Sequence, residues 1–327
     1  MLKRLQDVRK SLPPCTPPFW AATGHLQTIL GHLIPSPKLK GSGEEFRIPL
    51  NKDSEILHTT YFKGKKPVVV YLFHGLGGSA EATYMQRTAL VAQDLGYHVF
   101  ISNHRGCGAG MGLATEPYHS GRSDDLSRVI EFGRNKFPEF KHAAVGFSLS
   151  ANALLLLVSK FKGEVLPDLA IAVNGPIHLD KASLKLCQGL NRIYDQRFLR
   201  DLRKYLKVNN PEKLLSAPKI KDLREFDEIF TAPLGGFESR AAYYQICSAK
   251  QYLHRIEVPT VLMTAKDDPF VGYEDYENAK LSASTVLHIE DHGGHMGYLT
   301  RKGLRAERWL DKALRSYLEV LEEQKKE

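Results

Sequence analysis

Six short apolar runs set the strongest limit on how this chain can fold: Pro67–His74, Tyr97–Ser102, His142–Gly146, Leu169–Asn174, Pro259–Thr264 and Val286–Ile289. They are rich in β-branched residues and bounded by Gly, Pro or Asp clusters, the pattern of strands buried on both faces. Helix-length segments separate several of them, at Glu81–Leu95, Ser123–Lys136 and Leu149–Phe161, and an amphipathic stretch runs from Leu304 to Glu322. Both faces of each strand must be covered, so this alternation predicts a mostly parallel sheet with helices on both sides. Ahead of it, Glu45–Leu50 and Glu55–Phe62 flank the turn formers Asn51-Lys52-Asp53-Ser54, which predicts an antiparallel hairpin and makes the sheet mixed.

The alternation breaks between Ile177 and Arg255, where helical spacing such as Leu184, Leu186, Leu190 and Ile193 replaces any convincing strand. An insertion of this kind is expected over the carboxyl ends of the strands, where open sheets bind ligands. The expected organisation is one core of residues 1–176 and 256–327, with 1–44 an N-terminal extension packing on it, and a helical cap of residues 177–255.

Composition excludes more than it assigns. Hydrophobic residues at 43% and charged residues at 25% are globular proportions, which rules out a disordered or fibrous chain. A net charge of +8 favours anionic partners. The basic residues are scattered, however, with moderate enrichment in Lys181–Arg224 and at the termini and no stripe of Lys/Arg interleaved with aromatics. A nucleic-acid partner is therefore not expected. Peripheral contact with an anionic membrane is the secondary expectation. Met1–Lys10 lacks the apolar stretch of a signal peptide, and the longest apolar run, Ala153–Val158, is far too short to span a bilayer. Cys15, Cys107, Cys187 and Cys247 are widely spaced and form no C-x-x-C pair, so reduced thiols and a soluble, cytoplasmic protein are expected. The oligomeric state is left open.

The chemistry concentrates in Ala144-Val145-Gly146-Phe147-Ser148-Leu149-Ser150-Ala151-Asn152, which leaves a predicted strand and enters a predicted helix. That context is the nucleophile elbow of the α/β-hydrolase fold, a turn so tight that the serine is strained and its neighbours must be small. Gly146 and Ser150 meet the size requirement, although Ser150 stands where the motif usually has glycine. A serine hydroxyl needs a base, and in this fold acid and histidine follow the nucleophile in that order. Asp267-Asp268-Pro269 follows the Pro259 run, and Asp291-His292-Gly293-Gly294-His295 follows the Val286 run. His295 is the expected base and Asp268 the expected orienting acid, with Asp267 as its rival. Phe73-His74-Gly75-Leu76-Gly77-Gly78-Ser79 occupies the position of the oxyanion loop, so the Leu76 and Leu149 amides are the expected donors to the tetrahedral intermediate.

Competing motifs are weaker. The loop at Gly75 lacks the G-K-[ST] of a phosphate-binding loop, and Gly106, Gly108, Gly110 and Gly112 do not register as G-x-G-x-x-G. His288, His292 and His295 lack the Glu or Cys partners of a metal site, so neither metal nor cofactor is expected. An aspartate at the elbow would have meant dehalogenase-type chemistry.

With these residues in place, further stretches resemble the YheT-like branch of α/β hydrolases, which includes the animal ABHD lipases and related plant proteins. The resemblance is nearly full length. It rests on Pro18-Phe19-Trp20 with Gly24-His25-Leu26-Gln27-Thr28-Ile29, on the His74 loop, on Asn103-His104-Arg105-Gly106-Cys107-Gly108, and on Tyr118-His119-Ser120-Gly121 with Asp125-Leu126. It continues through the elbow, Phe226-Asp227, Gly236-Phe237, Tyr243-Tyr244, Asp268-Pro269 and Gly293-Gly294-His295. The resemblance implies hydrolysis of carboxylic esters, with lipids such as acylglycerols or phospholipids as substrates of the animal members. Those relatives carry a membrane anchor that is not expected in this chain. His25, Arg105 and His119 are open between lining the pocket and fixing loops, and the aromatic stretch Phe226–Tyr244 is expected to roof an acyl-binding cleft.

The sequence thus points to an ester hydrolase acting on an acyl ester or lipid-like small molecule through an acyl-enzyme. A thioesterase or amidase would use the same site. A non-catalytic binding protein on this fold would show loss of a triad member.

Overall fold

The computed structural model describes residues 1–50, 55–303 and 305–322. Its centre is an eight-stranded sheet in the order β1-β2-β4-β3-β5-β6-β7-β8, formed by Glu44–Pro49, Ile56–Phe62, Val68–Phe73, His98–Ser102, Lys141–Phe147, Leu169–Val173, Thr260–Ala265 and Thr285–Glu290 as β1 to β8. The β1-β2 and β2-β4 pairs are antiparallel and the remaining pairs parallel, which is the expected mixed sheet. The hairpin forms as expected, whereas its turn, Asn51–Ser54, lies outside the described residues.

All six residues of β3 are buried. Val69, Tyr71 and Phe73 enter the hydrophobic cluster on one side of the sheet, and Val68, Val70 and Leu72 enter the cluster on the other. Helices α4 (Ser123–Lys136) and α5 (Leu149–Val158) cover the first side. Helices α1 (Leu2–Ser11) and α3 (Thr83–Asp94) cover the second, together with the helix Trp309–Leu318. Nine of the ten residues of α5 are buried, and apart from Ser150 and Asn152 they are apolar, as a helix enclosed on every side must largely be.

Two local expectations are corrected. The segment from Leu304 was expected to be helical throughout. Instead Leu299–Lys302 and Arg305–Arg308 pair as an antiparallel ribbon, β9 and β10, and the helix starts only at Trp309. The ribbon is held at both ends by the rest of the chain: the Arg301 amide donates to the Thr16 carbonyl, and the Trp309 amide donates to that of Tyr298.

The second correction concerns the insertion between β6 and β7. It is helical, with α6 (Leu179–Leu186) and the long α7 (Arg192–Asn209), but most of the residues that suggested its inward face point outward. Leu184, Leu190 and Ile193 are 47%, 68% and 64% exposed, and only Leu186 is buried. The buried stripe of α7 is instead Tyr194, Leu199, Leu202, Tyr205 and Leu206. An interruption by a 3-10 turn at Gly189–Asn191 resets the helical phase, which a single periodicity across the segment cannot register.

Candidate active site

Ser148 lies between β5 and α5 with φ +52° and ψ −118°, a conformation that non-glycine residues rarely adopt. The turn leaves no room for a larger residue two positions earlier. A Cβ on Gly146 would fall 2.5 Å from the Ser150 carbonyl oxygen. Gly75 is constrained in the same way, because a Cβ there would sit 2.8 Å from the Ser148 Cβ. Glycine at both positions lets the His74 loop pass directly over the serine.

His295 reaches Ser148 from the loop after β8, with Nε2 at 2.9 Å from the serine Oγ. Its Nδ1 lies 2.8 Å from Asp268 Oδ2, so the proton belongs on Nδ1 and the Nε2 lone pair faces the hydroxyl. Asp268 is itself fixed. Its Oδ1 accepts the Phe270 and Val271 amides and its Oδ2 accepts from the Asn174 side chain. Asp267, the rival acid, takes a different position: its Oδ1 accepts the amides of Gly293 and Gly294 and so ties down the histidine loop. The ring of Phe270 packs on His295 at a centroid distance of 4.2 Å.

Three supporting residues had no sequence signal beyond their place in the resemblance or at a strand end. Thr28 accepts the His295 amide through Oγ1. Gln27 holds the Leu299 amide and carbonyl with its buried carboxamide. Asn174, at φ +50° after β6, donates to Asp268 and to the Gly294 carbonyl while accepting from the Tyr298 hydroxyl.

Around Ser148 the donors divide cleanly. The Gly75 amide donates to the Tyr84 hydroxyl and the Gly77 amide to that of Tyr118. Among the described residues, the amides of Leu76 and Leu149 donate to no protein acceptor. Two free N–H groups flanking a nucleophile are what an oxyanion requires.

Ser150 has a defined place beneath this loop. Its hydroxyl donates to the His74 carbonyl and lies 2.5 Å from His104 Nε2, while the His104 amide donates to His74 Nε2 at 3.1 Å. Burial lowers the pKa of both imidazoles, to about 4 for His104, so they act as neutral hydrogen-bonding groups. The hydroxyl that replaces the usual glycine therefore pins the base of the Leu76 loop to the first turn of α5.

Two cavities meet at Ser148. An open cleft of about 710 Å³ runs outward past Gly77, Thr28, Ile193 and Arg197. A smaller apolar cavity of about 80 Å³ lies under the insertion between β6 and β7, walled by Leu186, Leu223, Tyr243, Tyr244 and His119. Leu76, Tyr118, Phe198, Leu202 and Phe270 line both. His119 thus faces a cavity, with its imidazole held neutral by burial. His25 stacks on Tyr194 beside the cleft. Arg105 lines neither cavity and is locked in ion pairs with Glu55, Asp125 and Glu116.

Comparison with known proteins agrees with this architecture. A profile of the alpha/beta hydrolase fold matches residues 68–302. The chain belongs to that family. YheT of Escherichia coli (strain K12), named as an esterase, is 32% identical over 77% of this chain and 76% of its own length. That similarity places the chain in the YheT-like branch. Human phospholipase ABHD3 is 23% identical over 94% of this chain and 79% of its own, and a yeast monoacylglycerol lipase is 26% identical over 79% and 60%. Among solved structures, an esterase of Pyrococcus furiosus covers 80% of this chain and 89% of its own at a TM-score of 0.54 and 18% identity, a likeness of fold.

Proposed function

We propose that this α/β hydrolase cleaves carboxylic esters with Ser148 as nucleophile, His295 as general base, Asp268 as the acid that orients it, and the Leu76 and Leu149 amides as the oxyanion hole. The chain is a carboxylic ester hydrolase by kinship with proteins named esterase, monoacylglycerol lipase and phospholipase. The observation that carries the assignment is the unbroken Ser148–His295–Asp268 hydrogen-bond chain lying beside two unpartnered amides.

In this reading His295 Nε2 takes the Ser148 proton as Oγ attacks the acyl carbon. The tetrahedral oxyanion forms against the two amides, and the imidazolium, stabilised by Asp268, returns its proton to the leaving alkoxide. The acyl group stays on Ser148 as an ester until water, activated by the same imidazole, releases it.

Residues 177–255 act as the cap. Its apolar cavity takes the acyl chain and the open cleft takes the alcohol portion of a small acyl ester or lipid. The cavity is small, about 80 Å³, against about 710 Å³ for the open cleft. Short acyl chains are accordingly expected to turn over fastest, with rates falling once the chain outgrows the Tyr243–Tyr244 wall.

The test is hydrolysis of a p-nitrophenyl ester series from acetyl to palmitoyl, with labelling by a fluorophosphonate probe. Ser148→Ala is expected to abolish both. Persistence of labelling or turnover in the purified variant would sink the assignment of Ser148.

A further inference from the structure

Helix α2, Gly24–Leu33, is built inside out. Its buried residues are Gly24, Gln27 and Gly31, and the two glycines lie against the backbone of the active-site loops, near the Asp267 carbonyl and Gly297 Cα. A side chain at Gly24 would push the helix off the loop after β7, and one at Gly31 would push it off the histidine loop. The apolar residues Leu26, Ile29 and Leu33 consequently face outward, 40%, 38% and 65% exposed, at the i, i+3, i+7 spacing of one helical stripe. Burial of apolar side chains is what usually holds a helix to its domain, so an apolar face turned to solvent calls for a partner.

Helix α7 stands across the cleft and carries the complementary feature. Ile193, Arg197, Arg200 and Lys204 fall on one stripe, are all exposed, and line the same open cleft as Ile29 and Leu33. The helix as a whole has six cations, Arg192, Arg197, Arg200, Arg203, Lys204 and Lys207, against Asp195 and Asp201. Asp195 is buried on the other side, while Asp201 and Glu81 are the acids on the cleft and leave it cationic. The two helices are in contact through His25 with Tyr194 and through Arg197, which donates to His32 Nε2 at 2.8 Å. They form one rim, apolar on α2 and cationic on α7, around the mouth that leads to Ser148.

We propose that this rim docks on an anionic lipid bilayer, with Leu26, Ile29 and Leu33 entering the headgroup layer while Arg197, Arg200 and Lys204 meet lipid phosphates. The attachment proposed is peripheral; no helix among the described residues is long and apolar enough to cross a membrane. An apolar stripe beside arginine and lysine is the chemistry that binds such a surface, since neither the insertion nor the charge attraction suffices alone. Docked in this way, the open cleft faces the bilayer and an ester can reach Ser148 without crossing bulk water. The surface does not depend on which residue is the nucleophile.

The full chain carrying Ser148→Ala, which separates binding from turnover, is to be floated with phosphatidylcholine vesicles and with vesicles containing roughly one third phosphatidylglycerol. Binding to the anionic vesicles is expected to exceed that to the neutral ones by about 30-fold, and the excess to vanish in about 0.5 M salt. Adding Arg200→Gln with Lys204→Gln should lower anionic binding about 30-fold. Adding Leu26→Ser with Leu33→Ser should lower it by about as much at an unchanged melting temperature, because these side chains are already exposed. Equal binding to both vesicles, no binding to either, or full binding by the leucine variant overturns the proposal. So does a dimer in sedimentation that the leucine variant dissociates, because a second copy would then be what covers α2.

Discussion

The two walls of the cleft are built by opposite rules. The core wall consists of the elbow, the His74 loop and the loops after β7 and β8, where short connections leave every group a single position. Gly146 and Gly75 admit no side chain, Asp267 and Asp268 each hold two backbone amides, and Ser150 ties the oxyanion loop to α5. The cap wall is made of packed side chains on α6 and α7, with leucines and arginines left on its outer surface. Chemistry needs positions fixed to a fraction of an ångström, whereas fitting a substrate needs shape and charge that can vary. Substitutions in the core wall should therefore act on kcat and those in the cap on stability or chain-length preference.

The sharpest break lies within one pair. Asp268→Asn removes the charge that holds the imidazole in its working tautomer, and a loss in kcat of about 10⁴-fold is expected. Asp267→Asn keeps an acceptor for the Gly293 and Gly294 amides, and its loss is expected within about tenfold. Steady-state kinetics on both variants decide it; similar losses would dissolve the distinction between the two aspartates.

Gly75→Ala pushes a methyl into the Ser148 Cβ and displaces the loop that carries the Leu76 amide. A fall in kcat of about 10²- to 10³-fold is expected, the size of losing one oxyanion donor, together with a loss of stability of about 1–3 kcal/mol from the overpacking. Ser150→Ala removes only the tie beneath that loop. Because His104 Nε2 still lies 3.1 Å from the His74 carbonyl, a fall of about tenfold in kcat at constant KM is expected. A change confined to KM would place Ser150 outside the oxyanion geometry.

The last expected effect is on stability and belongs to the inserted segment. Burial is the main cause that raises Asp227 to about 6, against the hydrogen bonds from Thr231 and Tyr244 and the pull of Arg240 and Arg224. A carboxyl raised from its unfolded value binds more protons when folded. Its contribution to stability is therefore fully present at low pH and is lost as pH rises through about 6, to a total of about 3 kcal/mol. Asp227→Asn still accepts from the Tyr244 hydroxyl at the same place. Thermal melts of the variant from pH 5 to 8 should show a gain over wild type that grows with pH, and a constant difference would remove Asp227 from the account.

Much of the core wall was legible because its signals are local. Parallel strands buried on both faces read as unbroken apolar runs, and the elbow, its acid and its histidine each follow such a run. The pairing of Asp268 rather than Asp267 with His295 was less so, since two adjacent carboxylates differ only in where the backbone after β7 points them. Thr28 and Asn174 were hidden further, because their partners lie 267 and 94 residues away. The inserted segment misled: Leu184, Leu190 and Ile193 have the spacing of an inward face, yet Leu184 lies on α6 two residues from the buried Leu186, and the 3-10 turn that follows leaves Leu190 and Ile193 outside.

Sequence by itself determined the chain order of the candidate site residues, serine then carboxylate then histidine, since residues at strand ends share one edge of a parallel sheet whatever else the chain does. Tertiary structure alone decided which amides stay free beside Ser148, what Ser150 holds, and which face α2 shows to solvent. Those outcomes depend on partners brought together by packing, and periodicity along a chain records that a helix has an apolar side without recording what lies against it.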